Sequence, residues 1–314
     1  MKILITGAAG FIGQKLATDL LKSDMIIEEL LLADVVLPKA MNDKRVICFQ
    51  SDLTVPAKIE SLVTEDLDLI FHLAAVVSGH AEKDFDLGWK VNLDMTRFLL
   101  EACRKKNPQI KFVFSSTCAV YGGKLPPIID ETVAVYPQTS YGAQKAMCEL
   151  MINDYSRKGF VDGRICRLPT ICVRPGKANQ AASSFVSGII REPLNGELAN
   201  CPVAPDTEIW ISSPDTLIRN LVHASTMDAA AFSDSRTVNL PGITVTVKQM
   251  VASLENIAGS SISKFITYNH DPVVNKIVMT WPGRFNNSKS LNYGFIADTE
   301  FEDFIKQYLR GLGK

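Results

Sequence analysis

The chain has 314 residues, 46% of them hydrophobic and 21% charged, with a formal net charge of -1 at pH 7. That content supplies a large core, in one big α/β unit or two fused lobes, while the interspersed charge offers no basic face for nucleic acid and no cationic helix for a membrane surface. Small molecules are therefore the expected partners, and with no apolar stretch of about 18 residues, no expected secretory leader and no C-x-x-C pair among seven cysteines, a cytoplasmic enzyme without disulfides or zinc is expected.

Runs rich in β-branched residues and leucine predict strands at 2–6, 29–34, 45–49, 68–73, 110–115 and 163–168, with a later one near 236–240. Helical patterns lie between them. The longest runs from about Ala81 to Lys106, and another covers 141–157 with Met147, Leu150 and Met151. Strand followed by helix, repeated, specifies an α/β fold with a doubly wound parallel sheet. After Leu168 the alternation breaks, and 193–214 is rich in Pro and Asn, so a smaller, irregular substrate-binding lobe begins there. The expected division is 1–168, completed by about 214–242, for the first domain, with 169–213 and 243–314 for the lobe.

Residues 7–13 read GAAGFIG, between the first predicted strand and the first predicted helix. A tight turn there exposes unpaired N–H groups at the positive end of a helix dipole, where a phosphate can bind. Gly7 permits the turn, Gly10 removes a Cβ from the path of a pyrophosphate, and Gly13 lets helix pack on strand, while Phe11 and Ile12 fill the core side. An ordinary strand–helix turn could use the same glycines, so context matters. Asp34 supplies it, ending the second strand in LLLAD, 21 residues beyond Gly13. Its carboxylate can accept both hydroxyls of a ribose and would repel a 2'-phosphate, which favours NAD over NADP. Capping a turn is its alternative role. Asp52 in SDL, followed by Leu53, is placed to reach an adenine amino group or to cap the next helix.

Tyr141 and Lys145, in YGAQK, lie four apart on a predicted helix and so face the same way. A neighbouring ammonium and an oxidised nicotinamide favour a phenolate, which makes Tyr141 the candidate general base. Ser115, Ser116 and Thr117 sit at the carboxyl end of the fifth strand, where open α/β sheets bind ligands, and one of these hydroxyls is expected to orient a substrate.

Together GAAGFIG, FHLAA at 71–75, KVN at 90–92, FSSTCAVYG at 114–122 and YGAQK at 141–145 resemble the extended short-chain dehydrogenase/reductase family over nearly the whole chain. The resemblance implies a Rossmann-type domain with tightly held NAD, a Ser/Thr–Tyr–Lys catalytic set, and a homodimer formed through two long helices. It implies Thr117 as the catalytic hydroxyl, with Ser116 the other candidate, Tyr141 as base, and Lys145 as the lysine that binds ribose and stabilises the phenolate. Ala74 and Ala75 match the loop beneath the cofactor, and Asn92 the helix asparagine behind the active site. RLPTICVRPGKANQAASSFVSGIIREPL at 167–194 and TWPGRF at 280–285 are similar to a subgroup that oxidises C2 of a four-carbon sugar acid.

A sugar acid calls for an arginine fork on its carboxylate and for amides and hydroxyls on its other oxygens. Arg174, Asn179, Ser183, Ser184 and Arg284 are the candidates, with Ser116 beside the reacting carbon; a surface ion pair is the competing role for either arginine. His72 and His223 read as packed residues, and the four histidines have no metal-binding spacing. The expected reaction is NAD-dependent oxidation of a 2-hydroxy acid. Nucleotide-sugar epimerisation or dehydration, and NAD binding without chemistry, are the alternatives.

Overall fold

The run KILIT forms β1 (Lys2–Thr6), with Ile3, Leu4 and Ile5 completely buried, as in a strand covered on both faces. The computed structural model describes residues 1–176, 181–232 and 235–313. It divides into two compact units, one of Met1–Thr117, Ser140–Arg167 and Ile218–Val238, the other of Cys118–Thr139, Leu168–Leu217 and Asn239–Lys314. The segment 118–139, expected with the first domain, thus falls in the second unit. It carries no strand–helix repeat, and Ile129 is tied by backbone hydrogen bonds to Arg284 and Asn286 of that unit.

In the first unit β2 (Glu29–Asp34), β3 (Val46–Gln50), β4 (Leu69–His72), β5 (Lys111–Thr117) and β6 (Asp162–Leu168) join β1 and the short strand Thr237–Asn239 in one seven-stranded sheet. The order is β3-β2-β1-β4-β5-β6 followed by Thr237–Asn239, and β1 pairs in parallel with both β2 and β4. This is the Rossmann-type doubly wound arrangement. The strand order reverses between β1 and β4, which opens a crevice at their carboxyl ends.

The helices of this unit are α1 (Phe11–Lys22), α2 (Pro56–Leu62), α3 (Ser78–Lys83), α4 (Phe85–Gly88), α5 (Met95–Lys106) and α6 (Ser140–Arg157). The pattern predicted as one helix from Ala81 to Lys106 is broken at Asp84, whose carboxylate accepts the Leu87 N–H at 3.0 Å and caps a fresh start. From Phe85 the helix runs on through a π-helical stretch, Trp89–Asp94, to Lys106. Such wider turns re-aim a helix face and recur at functional sites, and this one carries Asn92. Leu99, Leu100, Cys103, Cys148 and Ile152 of α5 and α6 pack with Leu4, Ile70, Phe112 and Phe114 of the sheet.

The second unit is more regular than its Pro- and Asn-rich sequence suggests. Strand Glu208–Ser212 lies between Ile243–Thr246, antiparallel, and Thr170–Ile171, parallel. Helices Ser184–Leu194, Val247–Ala258 and Phe301–Gly311 close its core around Ile190, Ile211, Met250, Leu254 and Phe304. Asp298 accepts hydrogen bonds from Ser212, Ser213 and Thr216, holding the end of that central strand to the start of the next helix. Among the described residues no helix is long and apolar enough to cross a membrane.

Candidate active site

The glycine turn sits at the mouth of the crevice. Gly7 adopts φ +73°, and a Cβ there would lie 2.6 Å from the Ala74 nitrogen, so no other residue fits without moving the β4 loop. A Cβ at Gly13 would come within 2.7 Å of the Ala8 Cα, so this glycine lets the helix start pack closely on the turn itself, just beyond β1. Gly10 is the N-cap of α1, and no side chain caps that helix, so its dipole end is left for an anion. Phe11 and Ile12, half-buried, open the helix. Asp34, at the end of β2, accepts the Ala9 N–H at 2.9 Å and the Val36 N–H at 3.3 Å, which fixes its carboxylate beside the turn. These residues fit a dinucleotide: a side-chain-free cradle, an uncapped helix start and a carboxylate beside them.

Asp52 is exposed and accepts both the N–H and the hydroxyl of Thr54, the latter at 2.7 Å; these bonds hold its carboxyl below the usual range. It is thus engaged in its own turn, followed by the buried Leu53. Ala74 and Ala75 are half-buried, and the Ala74 N–H points at the Thr6 hydroxyl, 3.4 Å away. That hydroxyl begins a buried chain. Thr96 donates to the Asn92 carbonyl at 2.8 Å, so it accepts from His72 Nε2 at 3.0 Å, leaving His72 Nδ1 to accept from Thr6 at 2.7 Å. Burial, assisted by the Lys145 charge, brings the His72 pKa down to about 3, consistent with that neutral form. Asn92 is 1% exposed, and its side chain is bonded to the Val76 backbone and to Gln144.

On α6, Tyr141 and Lys145 stand one turn apart, with Lys145 Nζ 5.9 Å from the Tyr141 ring centre and 4.4 Å over the Phe114 ring. Lys145 is 1% exposed and donates to the Ser115 carbonyl at 2.9 Å. Burial brings its pKa down to about 8, against the raising effect of Cys148 and Glu149. Burial also pushes the Tyr141 phenol up to about 12. Desolvation thus favours the protonated phenol, and a positive charge brought beside it would favour the phenolate.

The three hydroxyl residues of β5 part company. Ser115 donates to the His72 carbonyl at 3.1 Å, and Ser116, 2% exposed, donates to Glu149. Thr117, the half-buried last residue of the strand, points to the face opposite Ser116 by strand alternation. Glu149 is in turn gripped by Arg167, whose Nη2 lies 2.6 Å from Oε2. Sequence reasoning missed both of these residues. Glu149 was findable as the next step of the helical stripe after Tyr141 and Lys145; nothing local marks Arg167.

In the second unit Arg174 is half-buried, and its guanidinium has no partner among the described residues; its backbone N–H donates to Ser187 at 3.0 Å and its carbonyl accepts from Arg191. Burial first, and the Arg191 charge second, lower its pKa. Ser183 is the N-cap residue of the helix that Ser184 begins, and its side chain makes no capping bond. Arg284 forms an exposed two-pronged pair with Glu208, with Nε–Oε2 2.8 Å. Asn179 lies outside the described residues. No group of three or more His, Cys, Asp or Glu among the described residues could hold a metal ion.

A family model described as the NAD dependent epimerase/dehydratase family matches residues 3–230. D-erythronate dehydrogenase of Haemophilus influenzae is 51% identical over 311 residues, spanning 98% of this chain and 99% of that protein. D-erythronate dehydrogenase of Cupriavidus necator is 47% identical over 321 residues, spanning 100% and 99%. Among solved structures, the nucleoside-diphosphate-sugar epimerase from Agrobacterium tumefaciens superposes with a TM-score of 0.94 at 39% identity, covering 99% of this chain and 94% of that one.

Proposed function

The chain belongs to the NAD dependent epimerase/dehydratase family, and from that premise we propose that it oxidises the C2 hydroxyl of a small, D-erythronate-like sugar acid to the 2-oxo acid, with Tyr141 as base. It is an NAD-dependent dehydrogenase. The substrate reading is carried by whole-length likeness to two proteins that bear the same dehydrogenase name.

Bound NAD would supply the hydride acceptor and, in its oxidised ring, a positive charge that favours a phenolate. Tyr141 takes the C2 hydroxyl proton as the C2 hydride leaves, so the alcohol loses two electrons and one proton reaches the phenolate. Because burial disfavours the phenolate further, activation of Tyr141 depends on that added charge together with Lys145. Lys145, anchored on the Ser115 carbonyl, has further N–H groups for a ribose. Thr117 holds the reacting oxygen. Ala74 and Ala75 floor the cofactor, Asp34 takes the adenosine ribose, and Asp52 and Leu53 border the adenine. Asn92, through Val76, steadies the loop that carries those alanines.

The carboxylate of the acid falls to Arg174, the arginine whose charge no described residue matches, with Ser183 and Ser184 at a helix start and Asn179 as further polar contacts. Arg284 is left out, since Glu208 neutralises it. The protein is further proposed to be a cytoplasmic homodimer through the helical run from α4 to α5 and through α6, where Phe85 of α4 and Leu150 of α6 are exposed by 56% and 68% and Met147 and Met151 of α6 are only half-buried. The 39% identical structure named as an epimerase keeps a second reading in play. Four- to six-carbon aldonates and nucleotide sugars, each incubated with NAD, separate them. Accumulating reduced cofactor with a sugar acid supports the dehydrogenase, whereas conversion of a nucleotide sugar with no net absorbance change would replace it with the epimerase.

A further inference from the structure

Glu149 and Arg167 are 3% and 6% exposed, and each ion loses its hydration there. Burial of such a pair seldom adds net stability, because desolvation offsets the attraction; what it adds is direction, since a guanidinium fork meets a carboxylate in one plane. Here Arg167 Nε reaches Oε1 at 2.9 Å and Oε2 at 3.1 Å, and Nη2 reaches Oε2 at 2.6 Å. Ser116 completes the set by donating to Oε1. Three elements, β5, α6 and β6, are thereby pinned at one carboxylate.

These residues adjoin several that the proposed reaction uses. Tyr141, Lys145 and Glu149 form a single stripe along α6, four residues apart. Ser116 lies between Ser115, whose carbonyl receives Lys145, and Thr117. On a strand, fixing one side chain fixes the faces of the two beside it. We propose that Ser116, Glu149 and Arg167 are positioning residues: a buried clamp that locks the carboxyl end of β5 to α6 and so holds Thr117 and the Ser115 carbonyl in register with Tyr141 and Lys145. Ser116 then supports the site and touches no substrate, which leaves Thr117 as the substrate-facing hydroxyl. The inference rests on the tyrosine-based hydride transfer proposed above.

Two variants test it. Ser116→Ala removes one prong and leaves the Glu149–Arg167 pair intact, so folding is not at risk; Glu149→Gln keeps the shape and removes the charge. Ser116→Ala is expected to lower kcat about 10- to 100-fold, the scale of a small misplacement, with KM for the sugar acid within about twofold. In the protein without ligands it should also speed amide hydrogen exchange at residues 115–117. Lys145 is faced by the neutral His72 from β4, by Phe114 and the Ser115 carbonyl from β5, and by Tyr141, Cys148 and Glu149 from its own helix, with Arg167 of β6 beyond Glu149. Glu149→Gln removes the anion among them, so the alkaline limb of NAD affinity should move to lower pH. Unchanged kcat and exchange in Ser116→Ala, or a KM raised tenfold or so at constant kcat, would overturn the clamp. Tyr141→Phe is measured alongside: full activity there sinks the tyrosine reading, while the exchange rates and the NAD titration still decide the clamp.

Discussion

Arg167 and Arg174 lie seven residues apart and meet opposite surroundings. In the first unit the charge of Arg167 is paired with Glu149 through Nε and Nη2, and both residues are buried. In the second unit Arg174 is half-buried with no partner for its guanidinium among the described residues, and burial beside Arg191 lowers its pKa. A buried ion pair fixes geometry, and its charges already offset each other. A partly desolvated charge left unmatched is costly, and an arriving anion relieves that cost. On the proposed reading, the two arginines would mark the difference between a residue that builds a site and one that reads a substrate.

The largest effect expected from this contrast is on folding. Arg167→Leu strands a buried carboxylate and should destabilise the protein by about 3–5 kcal/mol in urea unfolding. Arg174→Leu, which removes a charge that no described partner matches, should leave stability within about 1 kcal/mol. Equal losses for the two would erase the distinction.

Arg174→Leu should instead raise KM for the sugar acid about 10- to 100-fold, the worth of a hydrogen bond to a charged group, with kcat much less affected. An unchanged KM would move the carboxylate contact elsewhere. Smaller is the effect of Asp34→Asn. It removes the like charge that a 2'-phosphate would meet, so the preference for NAD over NADP should shrink by about tenfold, equivalent to one modest charge contact. Unaltered discrimination, measured as a ratio of kcat/KM values, would release Asp34 from that role.

The smallest effect concerns pH. The folded pKa of Lys145, about 8, lies below the ordinary lysine value of 10.5. The folded protein therefore binds fewer protons than the unfolded chain between those values, and stability rises with pH across that window. The cost of burying the ammonium is complete below about pH 8 and fades above it. Lys145→Met should accordingly be most stabilised relative to wild type near neutral pH, with the gap closing toward pH 10.5. A gap that stays constant across the window would mean the burial cost falls elsewhere.

Those features written in local spacing were legible in the sequence. GAAGFIG between strand and helix, Asp34 at a strand end, and Tyr141 with Lys145 four apart each follow from the period of one element. Long-range pairings were not. Arg167 meets Glu149 only because β6 lies beside β5, and no local pattern separates it from Arg174. Alternation along FSST says that Ser116 and Thr117 face opposite ways, and only the packing of α6 says which face is which. Asp84 ends a helix that hydrophobic periodicity carries straight through, because a capping carboxylate interrupts without disturbing the apolar pattern. Segment 118–139 joins the second unit through Ile129, a residue whose partners lie far along the chain.

Whether Tyr141 removes the substrate proton is tested most directly by steady-state turnover of Tyr141→Phe, with NAD affinity and unfolding followed in parallel. The ring and its packing remain while the proton acceptor is lost. Turnover should fall by about 10²–10⁴, with NAD affinity and stability close to wild type. Retention of more than about a tenth of wild-type turnover would contradict tyrosine-dependent hydride transfer in this protein.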